Sequence, residues 1–246
     1  LVGLGAGTLW NGLKIHILAT SKKEEYGRNL GIFYFFVSFG TVLGVLITTV
    51  LIEKINLFII MLLHTAMILT SCLFFFRSEE VLLNEKTVEK NLFFFFREKR
   101  LLLLIAASLP IGTIYTLLYG TFAVLITQKL GLAAVGYVTL IGYITPMIIP
   151  YFSGRVSDKY SKEKILFIGL FIGLIALGLL SYSLFRLQPF LFGTLLGIFL
   201  LFVYYGTFKT VTTSLLADYF HQKGISNALS ILEVSLLVVT TTFLLL

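Results

Sequence analysis

The sequence predicts an all-α membrane protein, a polytopic bundle of eight transmembrane helices. Three observations carry that prediction. Of the 246 residues, 58% are hydrophobic and 13% charged, whereas soluble domains run nearer about 25% charged. The mean hydropathy is +0.98. The apolar residues fall into eight long runs, each able to cross a hydrocarbon core about 30 Å thick, which takes roughly 20 helical residues. Lipid offers no partner to a bare N–H or C=O, so every run must be helical.

In chain order the runs are Leu1–Thr20, Leu30–Ile52, Asn56–Phe76, Leu101–Ile126, Leu132–Phe152, Ile165–Phe185, Phe190–Leu216 and Ile225–Leu246. The first is glycine-rich and carries Lys14 and His16 near its end; Lys14 is expected to snorkel to the headgroups. The second holds Tyr34 and the pair Gly40 and Gly44. The third holds His64, read as packing. Pro110 interrupts the fourth, and Pro146 and Pro150 the fifth, where bending would serve a gate. Gly169/Gly173 in the sixth run and Gly193/Gly197 in the seventh are small-xxx-small pairs that let helices approach closely. Lys209 and Glu233 lie inside the seventh and eighth. The chain opens without Met in an apolar run and closes on Phe243–Leu246, so it is expected to be a fragment.

The connections set the orientation. If they alternate sides, one side holds fourteen Lys/Arg, from Lys22, Lys23 and Arg28 to Lys223, and the other holds Lys54, Lys129 and Arg186. Basic excess in short loops marks the cytoplasmic side. Loops 21–29, 77–100, 153–164 and 217–224 are therefore expected in the cytoplasm of a multi-pass protein of the plasma or inner membrane. The net charge of +7 then reflects topology and anionic headgroups, the lipid bilayer being the partner rather than nucleic acid. The longest connection, 77–100, divides a three-helix part (1–76) from a five-helix part (101–246). Its Phe93–Phe96 reads either as an interfacial stretch or as the early start of a tilted helix.

One connection carries a motif. Gly154-x-x-x-Asp158-Lys159-x-Ser161-Lys162-x-Lys164 resembles the signature loop of the major facilitator superfamily, Gly-x-Leu-x-Asp-Arg-x-Gly-Arg-Lys/Arg. Arg155 sits inside it, Val156 replaces Leu, and Ser161 replaces the second Gly. A loose repeat, Gly12…Lys14…Leu18-Ala19…Gly27 against Gly206…Lys209…Leu216-Ala217…Gly224, fits transporters built from duplicated halves. Matching the loop to the family's helices eight and nine makes the eight runs helices four to eleven. Connection 77–100 then falls where the family's central cytoplasmic loop belongs.

The resemblance implies a monomeric secondary transporter moving a small organic solute by alternating access, with protons the first expectation for the coupling ion. In the family, the Asp of this loop braces the cytoplasmic gate against the other half. Here that would set Asp158 against the start of the second helix, near Arg28; the plainer reading is a solvated loop charge. Gly40-x-x-x-Gly44 resembles the start of the family's antiporter motif, but Val45 replaces the Pro and Thr48-Thr49 the Gly pair, which weakens a drug/proton antiporter assignment without excluding efflux. Phe33-Tyr34 resembles oligopeptide–proton symporters, whose Lys-Pro is absent, so oligopeptide or sugar symport stays open.

Intramembrane charges are expensive and usually paired or pathway-lining. Lys209 and Glu233 lie at similar depth, so antiparallel neighbours would bring them together, either as a proton or substrate sensor or as a static packing pair. Tyr115 and Tyr119, spaced i, i+4, are candidate cavity residues with Asn11 and Tyr34, further candidates being Tyr137, Tyr143, Tyr204 and Tyr205; an interfacial belt is the alternative. No two histidines stand at ligand spacing and Cys72 is alone, so neither metal nor cofactor is expected. No catalytic motif appears, and an enzyme is not expected. A non-transporting receptor or scaffold on the same fold would be packed shut where a transporter has a polar cavity.

Overall fold

A computed structural model describes residues 2–52, 56–76, 97–116, 124, 127–129, 132–184, 191–220 and 224–245. They contain eight α-helices of 18 to 30 residues: α1 Val2–Thr20, α2 Tyr26–Ile52, α3 Leu57–Phe76, α4 Lys99–Thr116, α5 Leu132–Lys159, α6 Lys162–Leu184, α7 Leu191–Phe220 and α8 Ile225–Leu245. No strand occurs among the described residues. Lys162–Ser183 and Leu191–Phe220 are long and apolar enough to cross a membrane, with mean hydropathies of 2.5 and 1.9.

Helix α7 is the axis of the molecule. It packs against α2, α4, α5, α6 and α8, while α2 lies along α5, and α1 touches α2 and α8. Two apolar clusters fill the joints. One gathers Leu18, Tyr26, Leu30, Leu101, Leu215, Phe220 and Leu229, and the other Ile111, Ala176, Leu180, Ile198, Phe202 and Phe208. Of the small residues read as packing devices, Gly173 and Gly197 act as such. Gly173 of α6 lets the Tyr204 ring lie flat on the backbone, and Gly197 of α7 sits under Leu180. The outward faces remain apolar: Phe167, Phe171 and Leu174 on α6 and Phe58, Met61 and Met67 on α3 are exposed. Water would not tolerate faces of that extent, and a lipid environment accounts for them.

Several boundaries differ from the sequence reading. Residues 153–164 are not a loop: α5 runs on to Lys159, and only Tyr160 and Ser161 separate it from α6. Nothing from Gly154 to Asp158 forbids a helix, and Arg155 folds back over the Tyr151 ring at 4.4 Å. Ser161, standing where the motif has Gly, caps α6, its Oγ accepting from the Lys164 N–H at 3.3 Å. Helix α2 likewise starts at Tyr26 rather than Leu30, so Arg28 is in its first turn. Residues 77–96 of the expected linker, with Phe93–Phe96, His221 and Tyr119, lie outside the described residues; so do the side chains of Tyr115, His64 and Cys72.

Candidate functional site

The site is built at one end of the α2–α5 contact and along the face of α7 just inside it. At the end, Gly27 of α2 crosses Gly154 of α5 so closely that a Cβ on either would collide with the other's backbone. That approach delivers Asp158 to the start of α2, whose first N–H groups have no helical acceptor. The Gly27 N–H donates to Asp158 Oδ1 at 2.8 Å and the Arg28 N–H to Oδ2 at 2.6 Å. The carboxylate thus completes the helix end and sits at the positive pole of its dipole. Burial pushes the Asp158 carboxyl above the usual carboxylate range, although the two amides and Lys162 pull the other way.

This end carries further ties. Lys162 Nζ donates to Asp218 Oδ2 of α7 at 2.7 Å, and stands 6.0 Å from the Tyr26 ring centroid. The Tyr219 hydroxyl donates to Glu163 Oε1 at 2.8 Å, and Arg100 of α4 lies over the Tyr219 ring at 4.7 Å. Of the remaining motif residues, the Arg28 side chain makes a half-exposed pair with Glu25 at 3.0 Å, and its Nε donates to Asn29 Oδ1 at 3.5 Å. Lys159 is exposed and Lys164 is exposed. Arg28 therefore meets Asp158 through its backbone, not its guanidinium, and Asp218 and Tyr219 are members of the cluster that sequence alone missed.

One to two turns further in, a cavity of about 350 Å³ opens between α1, α2, α5 and α7, lined by Trp10, Tyr34, Ser38, Thr41, Tyr143 and Lys209 among others. Its wall has an unusual acceptor. Pro150 has no N–H to give the Pro146 carbonyl, its i−4 partner, and Ser38 Oγ of α2 donates to that carbonyl instead at 3.2 Å. A second space of about 150 Å³ lies behind, lined by Trp10, Tyr205, Lys209, Thr212, Thr213 and Glu233 among others. Trp10, Tyr205 and Lys209 are common to both.

The charges pair differently from expectation. Glu233 of α8 is bound by Lys14 of α1, not by Lys209. Lys14 does not snorkel; it is fully buried, because Glu233 neutralises it where it stands. Lys209 turns instead to rings, its Nζ 4.8 Å from the centroids of Trp10 and of Tyr34 and 5.6 Å from that of Tyr205. Its hydrogen bond is to the Tyr205 hydroxyl, at 3.5 Å. Depth along a helix fixed which residues share a level, but not which way each faces. Trp10, the only tryptophan, lies between the two lysines, with Lys14 Nζ 5.5 Å from its centroid. Its uniqueness at the level of Lys14 was the signal available in the sequence.

Tyr34 is buried on the cavity wall, its hydroxyl 3.5 Å from Thr213 Oγ1. Asn11 is not among the residues lining either space; its Oδ1 is enclosed without a hydrogen-bond partner. Tyr143 and Tyr205 line the space, Tyr137 is exposed on the outer surface, and Tyr204 is core, stacked edge-on against Phe208 at 5.7 Å. No group of three or more His, Cys, Asp or Glu able to hold a metal occurs among the described residues. In comparisons with known proteins, a family model described as Major Facilitator Superfamily matches residues 1–237. No curated protein and no solved structure matches the chain.

Proposed function

The chain belongs to the Major Facilitator Superfamily, a family of membrane transporters, and we propose from this that it moves a small organic solute across a cell membrane by alternating access. The observation that carries the reading is a polar cavity beside a tie of a few hydrogen bonds. The cavity is walled by hydroxyls and one cation, and the tie joins Asp158 to the first turn of α2. A receptor or scaffold on this fold has no use for such a cavity. The reading takes the eight helices as eight spans. Residues 1–76 and 101–246 form the two moving parts, 77–100 joins them, and the Asp158 end faces the cytoplasm, as the Lys/Arg distribution supports.

In this reading the Asp158–Gly27–Arg28 tie is the cytoplasmic gate, closed here, with Lys162–Asp218 and Tyr219–Glu163 holding α6 to α7 beside it. Protons are the proposed coupling ion and Glu233 their carrier. Its bond to Lys14 crosses from one part to the other, so separation of α1 from α8 would change its proton affinity. The pattern Gly40-Thr-Val-Leu-Gly44-Val45, without the Pro of the antiporter motif, favours symport over drug export.

The test is a distance measurement on the full-length protein in liposomes, with spin labels at the exposed positions Lys23 and Lys159. Alternating access gives two distance populations, and Asp158→Ala, which leaves the α2 amides without acceptors, shifts weight to the longer one. A single population, unmoved by that substitution, excludes a gate here.

A further inference from the structure

We propose that the transported solute is a small organic anion, with its carboxylate held by Lys209 and its body against Trp10 and Tyr34. This rests on the transport reading above and names the class of substrate the cavity takes. The argument is one of charge. Lys14 and Glu233 neutralise each other, so Lys209 is the remaining charge of the two adjoining spaces among the described lining residues. The next acid along α7, Asp218, stands nine residues on, about 14 Å along the axis at 1.5 Å per residue, and is engaged by Lys162.

The rings around Lys209 offset part of the cost of holding an ammonium away from bulk water, but they carry no charge. A carboxylate entering the cavity would supply the counter-charge that the protein omits. An aromatic cage commonly receives a cationic ligand; this one is filled by the protein's own ammonium, so a cationic solute would meet repulsion. The volume of about 350 Å³ is at the lower end of small-molecule sites. The Ser38, Thr41 and Tyr143 side chains on the other walls suit a solute with polar groups besides the carboxylate.

Trp10 touches both spaces and Lys209, which makes it a built-in probe. The experiment uses the full-length protein in a non-ionic detergent, with any tryptophan outside these residues replaced by Phe. Quenching of Trp10 by iodide, caesium and neutral acrylamide is compared. Acrylamide should reach Trp10, and iodide should out-quench caesium by about threefold or more, as a focused positive potential concentrates anions. Lys209→Gln should bring that ratio to about one with acrylamide quenching unchanged, while Lys209→Arg should keep it, as charge alone decides. Benzoate should protect Trp10 from acrylamide at a concentration at least about tenfold below benzamide.

If iodide is no better than caesium, or benzamide protects as well as benzoate, the anion assignment is overturned and the transport reading stands on its spin-label distances. If acrylamide cannot reach Trp10 at all, the cavity is sealed, and both fall.

Discussion

Removing one partner of the Lys14–Glu233 pair leaves a different remainder depending on which is removed. Lys14 is enclosed, its side chain 1% exposed, whereas that of Glu233 is 35% exposed. Glu233→Gln strands a buried ammonium, for which losses of about 3–5 kcal/mol are typical. Lys14→Met leaves a carboxylate with partial access to water and should cost about 1–2 kcal/mol. Thermal denaturation of the purified variants checks the order, and equal losses would mean that the pair is not the asymmetric one seen here. The same Glu233→Gln protein, assayed for transport against pH, also tests the carrier role: an unchanged pH dependence removes Glu233 from proton coupling. Asp158 gives a second prediction. Its carboxyl is raised by burial in the closed gate and would return to its ordinary value when the gate opens to water. The closed form therefore binds the proton more tightly, so its stabilisation is complete below the ordinary carboxylate value and is lost as pH rises through the raised one. Acidification from neutral pH should thus enlarge the shorter Lys23–Lys159 distance population, and its shrinkage would reverse the sign of this account. Which residues carry charge into the bundle was legible in the sequence, because a charge in an apolar run stands out. Their partners were not. Helices apolar on nearly every face give no pattern from which to read rotation, so Lys14 holds the partner expected of Lys209.

At the level of elements, the eight helices of the described residues could be read from composition because lipid leaves the backbone no alternative. Their ends could not be, because a polar stretch such as Gly154–Lys159 is as compatible with an emerging helix as with a loop. The Ser38–Pro146 tie between α2 and α5 was also hidden, since it depends on an atom freed by a proline rather than on side-chain type. Pro150 leaves the Pro146 carbonyl without a helical donor, and Ser38 fills the vacancy across the interface. Ser38→Ala should therefore weaken the α2–α5 contact, not α5 itself. Loss of one partly buried hydrogen bond costs about 1 kcal/mol, a change of about fivefold in the balance of the two distance populations. Restoring an N–H with Pro150→Ala should make that Ser38 substitution nearly silent. If Ser38→Ala costs the same in both backgrounds, the serine is not answering the proline.

For the whole molecule, the α2–α5 seam is closed along one face of α2. Gly27 meets Gly154, a Cβ on Gly31 would come 2.5 Å from the Pro150 carbonyl oxygen, and Ser38 reaches Pro146. Gly40 and Gly44 stand more than about 100° round α2 from that face, and nothing lies within 4 Å of a Cβ built on either. The glycines of one helix therefore fall into two groups, one in the seam and one turned away from it. Gly31→Ala should oppose closure, since overpacking costs about 1–3 kcal/mol, and move weight to the longer Lys23–Lys159 distance. Gly44→Ala meets no obstacle in this state and adds helix propensity, about 0.5–1 kcal/mol. Turned away from the seam, Gly44→Ala should leave the balance of the two distance populations nearly unchanged. Of the two alanines, only the one at Gly31 should then displace the equilibrium. Equal displacement by both would mean that the added methyl acts through the propensity of α2 rather than through its contact with α5.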